Sequence, residues 1–350
     1  MAVAQAPASS NVQLETYVGG RVVTHVAGGQ TSYTYAWPGV YFEAQFTGDA
    51  VDVKIDDSQN NLYLYIDGVH KLTLTKPQHA TVALKDLGEG RHVVRLEKVT
   101  ETQSSTGTFD GFYVASADKA LPAPRYERRI EFIGDSFTVG YGNTSRGREC
   151  TVEDVGATTN TSEAFAPAAA KHFGAAYRIH AYSGKGVVRN YANVDYGNPL
   201  PVLYQYALFD KSAPAPEDGW SPDVIVVGLG TNDFSTPLAK DEPWKTREEL
   251  RADFIDKYAG FVKSLHAKQP SAHFILMAST NMENEIINAV NGVAARLKSE
   301  GVNDLEVIAF SNLDWQACHW HPSLKDDVTL SKLLIDRIAL LPKFAPEASH

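Results

Sequence analysis

Three things are scarce in this chain of 350 residues. It has only two cysteines, Cys150 and Cys318, and the count alone leaves open whether they pair or are unrelated thiols. No apolar run approaches the ~20 residues that a membrane-spanning helix needs. Basic residues are not in excess: Lys plus Arg number 32 against 42 Asp plus Glu, a formal net charge of −10. That balance argues against nucleic acid or an anionic membrane as partner, because both are held by basic surfaces. It fits a neutral small molecule or a polysaccharide. The first residues, Met1–Ser10, lack the basic and long apolar regions of an export signal. They read as a short disordered leader, whose alanines suit what remains once such a signal has been cut away. No internal repeat and no low-complexity block is visible.

What is present is globular in kind. Hydrophobic residues make up 43 %, charged residues 21 % and aromatics 10 %, values that exclude a disordered or fibrous chain. At ~150 residues per domain the length suggests about two domains, each able to bury a core. Residues 12 to about 118 read as all-β. Alternating runs such as Val51–Ile55, Leu62–Ile66 and His92–Leu96 are separated by turn signals at Thr47-Gly48-Asp49, Asp67-Gly68 and Gly88-Glu-Gly90. Regular short strands of this kind predict a sandwich. Two prolines in Leu121-Pro-Ala-Pro124 predict a stiff linker over 119–127.

From about residue 128 to 345 apolar strands alternate with helices. The predicted strands are Ile130–Ile133, Tyr177–Ala181, Val224–Gly228, Phe274–Met277 and Leu305–Ala309. One predicted helix covers 246–268, with Thr246 and Glu249 as a capping box and Leu250, Phe254, Tyr258, Phe261 and Leu265 on one face. Others cover 283–299, ending at Gly301, and 328–341, ending at Pro342. Apolar strands joined by helices predict a parallel sheet in three layers.

In such a sheet, ligands bind beyond the carboxyl ends of the strands. After the first strand comes Gly134-Asp-Ser-Phe-Thr-Val-Gly140, after the second Ser183-Gly-Lys-Gly186, and after the third Gly230-Thr-Asn-Asp233. After the last comes a segment ending Cys318-His-Trp-His-Pro322. Together they bring a hydroxyl, backbone donors, an amide and an imidazole to one rim. Each alone is a weak signal: Gly-Asp-Ser is a common turn, and Gly-Thr-Asn-Asp can cap a helix. Four in order at four strand ends read as an acyl-transfer site. A serine needs a base to take its proton, and the tetrahedral intermediate needs donors aimed at its oxyanion.

Gly134-Asp-Ser136, Gly184, Asn232 and His321 resemble the four blocks of the SGNH (GDSL-like) hydrolases. The resemblance runs from about residue 15 to 341. Gly19-Gly-Arg21, Trp37-Pro-Gly39, Phe46-Thr-Gly48, Tyr65-Ile-Asp-Gly68, Lys98-Val-Thr-Glu101, Phe109-Asp-Gly-Phe112, Gly140-Tyr-Gly-Asn143 and Val188-Arg-Asn-Tyr191 narrow it to carbohydrate esterase family 2. The resemblance implies a three-layer α/β/α SGNH hydrolase domain preceded by an all-β, jelly-roll-like sandwich. It implies a secreted or periplasmic serine esterase that removes O-acetyl groups from polysaccharides or oligosaccharides such as xylan and glucomannan. Ser136 would be nucleophile and His321 general base, then general acid. The oxyanion hole would be the Ser136 and Gly184 N–H groups with the Asn232 side chain. Trp320 would line the sugar site, and no metal or cofactor is implied. The sandwich is either a carbohydrate-binding module or a wall of the cleft, with Trp37 or Tyr65 as candidate sugar contacts. A lipid esterase, a thioesterase, or a binding protein with a decayed hydrolase site are the competing readings.

One departure matters. The positions two and three before His321, where relatives carry an acidic partner, hold His319 and Cys318. Some members of that family resemble a Ser–His dyad in which a backbone carbonyl orients the histidine, and the resemblance implies that arrangement here, with His321 Nδ1–H held by a main-chain carbonyl. Asp314 is a second candidate partner, and a cationic His319 would disfavour the imidazolium. His319-Trp-His321 beside Cys318 also admits a zinc reading, which leaves the serine and the oxyanion parts without a role. Cys150 follows the nucleophile loop and Cys318 precedes the base. If the two loops meet at the rim, a disulfide ties them.

Overall fold

A computed structural model describes residues 11–345. The leader Met1–Ser10 lies outside the described residues. The first part is a sandwich of two antiparallel sheets. One sheet runs in the order Val22–Ala27, Gln30–Tyr35, Gly107–Val114, Val51–Asp57, Gln78–Leu84. The other runs Ala120–Leu121, Tyr41–Thr47, Arg91–Lys98, Asn61–Ile66, Val69–Thr75. The period-2 pattern explains the packing. Val51, Val53 and Ile55 meet Leu62, Leu64 and Ile66 in one core with Phe42, Phe46, Phe109 and Phe112.

The second part is a five-stranded parallel sheet in the order Ala176–Ala181, Arg129–Gly134, Val224–Gly228, His273–Ser279, Leu305–Phe310. Neighbouring residues on a strand serve opposite layers. Ile225, Val227, Phe274 and Leu276 pack with Phe254, Tyr258, Val290 and Val293 of helices Arg247–Lys268 and Glu285–Ser299. Val224, Val226, Ile275 and Met277 pack with Phe165, Ala169, Leu330 and Leu334 of helices Phe165–His172 and Leu324–Ile338. Each strand is therefore apolar on both faces over most of its length, as a sheet covered on both faces requires, with Glu131, Arg178 and His180 as polar exceptions toward the sandwich side of the sheet. No helix among the described residues is long and apolar enough to cross a membrane.

Some expectations need correction. The last helix starts at Leu324, not 328, and ends at Ile338. Its start is a capping box of Ser323 and Asp326, which the exposed Leu324 and Val328 hid from an apolar-period reading. The box expected at Thr246 is only half formed: Thr246 accepts the Glu249 N–H, but the Glu249 carboxylate accepts the Lys245 N–H at 2.6 Å. At the start of the expected stiff linker, Ala120–Leu121 pairs with Tyr41–Thr47 as an edge strand. Trp37 is not an exposed aromatic. It is fully buried, donates from Nε1 to the Tyr206 carbonyl at 3.2 Å and meets His180 and Phe209 edge-on. Burying such a side chain is worth roughly 2–3 kcal/mol, and here that helps hold the sandwich against the α/β layer.

Two buried polar clusters seal the same contact. Arg95 pairs with Glu43 at 2.9 Å and Glu97 at 3.0 Å, lies 3.6 Å over the Tyr41 ring and donates to the Tyr177 hydroxyl. Arg21 lies 3.7 Å from Glu131, which also binds His180 and the Tyr204 hydroxyl, each at 2.7 Å.

Candidate functional site

Ser136 opens a four-residue helix directly after the strand Arg129–Gly134. Asp135 caps it, accepting the Phe137 N–H at 3.1 Å. The turn is so tight that a Cβ on Gly134 would sit 2.0 Å from Thr138 Oγ1. That closeness explains why a glycine precedes Asp135. Ser136 is almost buried, and its hydroxyl lies 2.8 Å from His321 Nε2.

His321 Nδ1 lies 2.9 Å from the Cys318 carbonyl oxygen. A carbonyl can only accept, so Nδ1 must carry the proton and Nε2 is left to accept from Ser136. The backbone thus sets the tautomer that a carboxylate sets elsewhere. Burial pushes the His321 imidazole down to about 4, and the nearby His319 adds to the lowering, against the pull of the Cys318 carbonyl. Asp314 does not take the part considered for it. Its carboxylate accepts the Ser323 hydroxyl at 2.9 Å and lies 3.5 Å from Lys325.

The loop carrying the base is held at several points. Cys318 is bonded to Cys150, with Cα atoms 5.4 Å apart. His319 N–H donates to the Arg148 carbonyl at 2.8 Å. The His319 ring bridges the Cys150 carbonyl at 2.9 Å and the Tyr141 hydroxyl at 3.1 Å, which suits the Nε2–H tautomer. Arg148 in turn donates to the carbonyls of Trp315 and Asp314. These ties hold His319 and Trp320 in left-handed backbone, φ +53° and +60°, which costs roughly 1–3 kcal/mol for each residue of this kind. His319 and His321 therefore serve different partners and Cys318 is consumed by the disulfide, so the zinc reading finds no shared ligand set. Trp320 is 58 % exposed beside His321, with the Arg148 guanidinium 5.3 Å from its ring.

The oxyanion candidates lie on the loop after strand Ala176–Ala181 and in the four-residue helix Thr231–Phe234. Gly184 has φ +85° with nothing within 4 Å of a Cβ position, a backbone that glycine adopts without strain. Asn232 is buried, and its amide nitrogen donates to the Lys185 carbonyl at 2.9 Å and lies 3.3 Å from Asp135 Oδ2. Burial, reinforced by the charge of Asp233, pushes Asp135 up to about 7. Asp233 is a part the motif reading did not single out. Its carboxylate accepts the N–H groups of Val187, Val188 and Arg189 at 2.9–3.1 Å, folding the Gly184 loop back onto the Asn232 helix. Tyr191, 54 % exposed, is tied to the same loop by its N–H to the Gly184 carbonyl at 2.9 Å.

Both halves of the chain resemble known proteins. Residues 18–124 match the carbohydrate esterase 2 N-terminal family, and residues 132–335 match the GDSL-like lipase/acylhydrolase family. The chain is 48 % identical over 332 residues to an acetylxylan esterase / glucomannan deacetylase of Cellvibrio japonicus (strain Ueda107), covering 95 % of this chain and 92 % of that protein. It superposes with a TM-score of 0.91 at 46 % identity on a solved carbohydrate esterase whose active site displays divergent catalytic and non-catalytic binding functions, over 95 % and 99 % of the two chains. A family two carbohydrate esterase from Clostridium thermocellum in complex with cellohexaose matches with a TM-score of 0.79 at 26 % identity, over 93 % and 98 %. The chain is thus a carboxylic ester hydrolase and belongs to carbohydrate esterase family 2, built on the GDSL-like fold.

Proposed function

We propose that the chain removes O-acetyl groups from plant polysaccharides or oligosaccharides, acetylated xylan and glucomannan among them, through a Ser136–His321 dyad. The observation that carries this is the continuous line from the Cys318 carbonyl through His321 to the Ser136 hydroxyl. Ser136 Oγ attacks the acetyl carbonyl carbon while its proton passes to His321 Nε2. The oxyanion is met by the N–H groups of Ser136 and Gly184 and by the Asn232 amide. Collapse of the intermediate breaks the bond to the sugar oxygen, which takes the proton from His321. Water, deprotonated by His321, then releases acetate from the acetyl-serine. Sandwich residues 12–118 and hydrolase residues 128–345, joined by 119–127, act as one body around this site. The bonded cysteines support a secreted or periplasmic setting, since such bonds persist in oxidising compartments. The test is acetate release from acetylated xylan beside Ser136→Ala. Release that vanishes in the variant supports the reading, and release that survives it overturns the nucleophile.

Two further outcomes are expected. His321 must be neutral to act as base, and its lowered pKa of about 4 places the acid limb of kcat/KM near that pH. Activity should rise with pH through about 4 and be flat at 6.5, where an unperturbed histidine would be half protonated. Stability should follow the same sign: the unfolded state takes up the proton first, so stability falls as pH drops from about 6.5 toward 4. A pH–rate profile on a small activated acetyl ester checks it, and a limb near 6.5 contradicts it. Second, Trp320 offers an exposed ring beside the base. Trp320→Ala should raise KM for acetylated xylan roughly five- to tenfold, with a smaller effect on a small acetyl ester. Equal loss on both substrates would speak against a sugar contact.

A further inference from the structure

Gly184 belongs to the α/β domain, yet its peptide is gripped by the sandwich. The Ser183 N–H donates to Glu101 Oε1 at 2.8 Å, and Gln103 Nε2 donates to the Ser183 carbonyl at 3.2 Å. Both side chains lie on the connection between the sandwich strands Arg91–Lys98 and Gly107–Val114. The Ser183 carbonyl and the Gly184 N–H are the two ends of one planar peptide unit. A side chain that holds the carbonyl therefore sets the direction in which the N–H points. At Gly184 no Cβ resists rotation, and nothing lies within 4 Å of where one would be. The backbone after it is pinned from the hydrolase side, by Tyr191 N–H on the Gly184 carbonyl and by Asn232 on the Lys185 carbonyl. The unit before it is pinned from the sandwich side, by Glu101 and Gln103.

We propose that Glu101 and Gln103 are positioning residues that aim the Gly184 N–H at the oxyanion, so that the sandwich completes the catalytic site; this rests on the esterase reading above. Neither side chain touches the reacting atoms. Gln103 holds and polarises the peptide whose N–H is the donor, and Glu101 fixes the residue before it. Preorganised donors lower the barrier because they need no reorientation as charge develops.

The test compares Glu101→Ala, Glu101→Gln and Gln103→Ala with the parent enzyme on p-nitrophenyl acetate, a substrate too small to need a polysaccharide-binding surface. Losing an oxyanion donor outright costs ~10²–10³ in kcat. Misaiming one should cost less, about tenfold in kcat for Glu101→Ala with KM unchanged. Glu101→Gln keeps an acceptor oxygen and should recover most of the rate. Gln103→Ala, at an exposed side chain, is expected to fold as the parent does and should lose about threefold in kcat. A boronic acid that forms a tetrahedral adduct with the active serine should lose affinity in Glu101→Ala and Gln103→Ala by the same factor as kcat/KM. Tyr63→Phe, which removes only the bond from Asn160 Nδ2 to the Tyr63 hydroxyl between the two domains, should match the parent. Unchanged kcat in Glu101→Ala and Gln103→Ala, a loss confined to KM, unchanged boronate affinity, or an equal kcat loss in Tyr63→Phe would each overturn the proposal. A parent enzyme that does not hydrolyse the ester at all would instead sink the esterase reading.

Discussion

Ser136→Ala and His321→Ala are each expected to reduce acetyl-ester hydrolysis by roughly 10⁴–10⁶-fold, and the double variant by little more. The two side chains act as one unit: at 2.8 Å the imidazole is, among the described residues, the group placed to take the serine proton, and without the serine it has nothing to activate. The residual rate would come from direct attack of water on an acetyl group whose developing oxyanion the Gly184 and Asn232 donors meet. Asp314→Ala should keep most of the parent's activity, because its carboxylate is spent on Ser323. Steady-state kinetics on acetylated xylan and on a small acetyl ester check all four variants. A loss in Asp314→Ala as large as in His321→Ala would mean that the carbonyl of Cys318 is not what orients the base.

Cutting the Cys150–Cys318 bond has the next largest expected effect. It closes a loop with a sequence separation of 168, for which chain entropy alone gives up to about 5 kcal/mol of stabilisation. The bond also anchors the residue whose carbonyl fixes the His321 tautomer. The Cys150→Ser, Cys318→Ser double variant should therefore melt at lower temperature and, where still folded, turn over at least about tenfold more slowly, because a wandering carbonyl no longer holds the imidazole toward Ser136. Thermal unfolding and kcat measured below the lowered Tm separate the two effects. Unchanged kcat in the folded variant would show that the hydrogen bonds of His319 and Arg148 hold the loop without the disulfide.

The dyad's geometry was legible because it is written in short local patterns at strand ends. Gly134-Asp-Ser136 and His321-Pro322 are each short contiguous stretches, and the resemblance, with no carboxylate at 318 or 319, implied a backbone acceptor for His321. The meeting of Cys150 and Cys318 followed from the two loops sharing a rim. What was not legible depends on contacts between distant segments. Glu101 and Gln103 lie 82 and 80 residues before Ser183, and no periodicity marks them. Asp233 reads in sequence as an ordinary cap residue, and only the fold shows it gathering three N–H groups. Trp37 carries the same letter whether it stacks on a sugar or fills a domain contact. The start of the last helix was lost because its first apolar residues face water.

The buried ion clusters between the two domains have a consequence for how such chains can be rearranged. Arg95, Glu43 and Glu97 pair within the sandwich and reach the parallel sheet through the Tyr177 hydroxyl, whereas Glu131 of that sheet is paired with Arg21 from the sandwich. Removing one partner of a buried pair strands a charge at about 3–5 kcal/mol, a sizeable share of the 5–15 kcal/mol that holds a typical protein folded. The two halves are therefore not interchangeable parts. A hydrolase half excised from this chain would leave Glu131 without Arg21, and an excised sandwich would carry an uncovered Trp37 indole into water, so the two parts are expected to melt together in a single calorimetric transition.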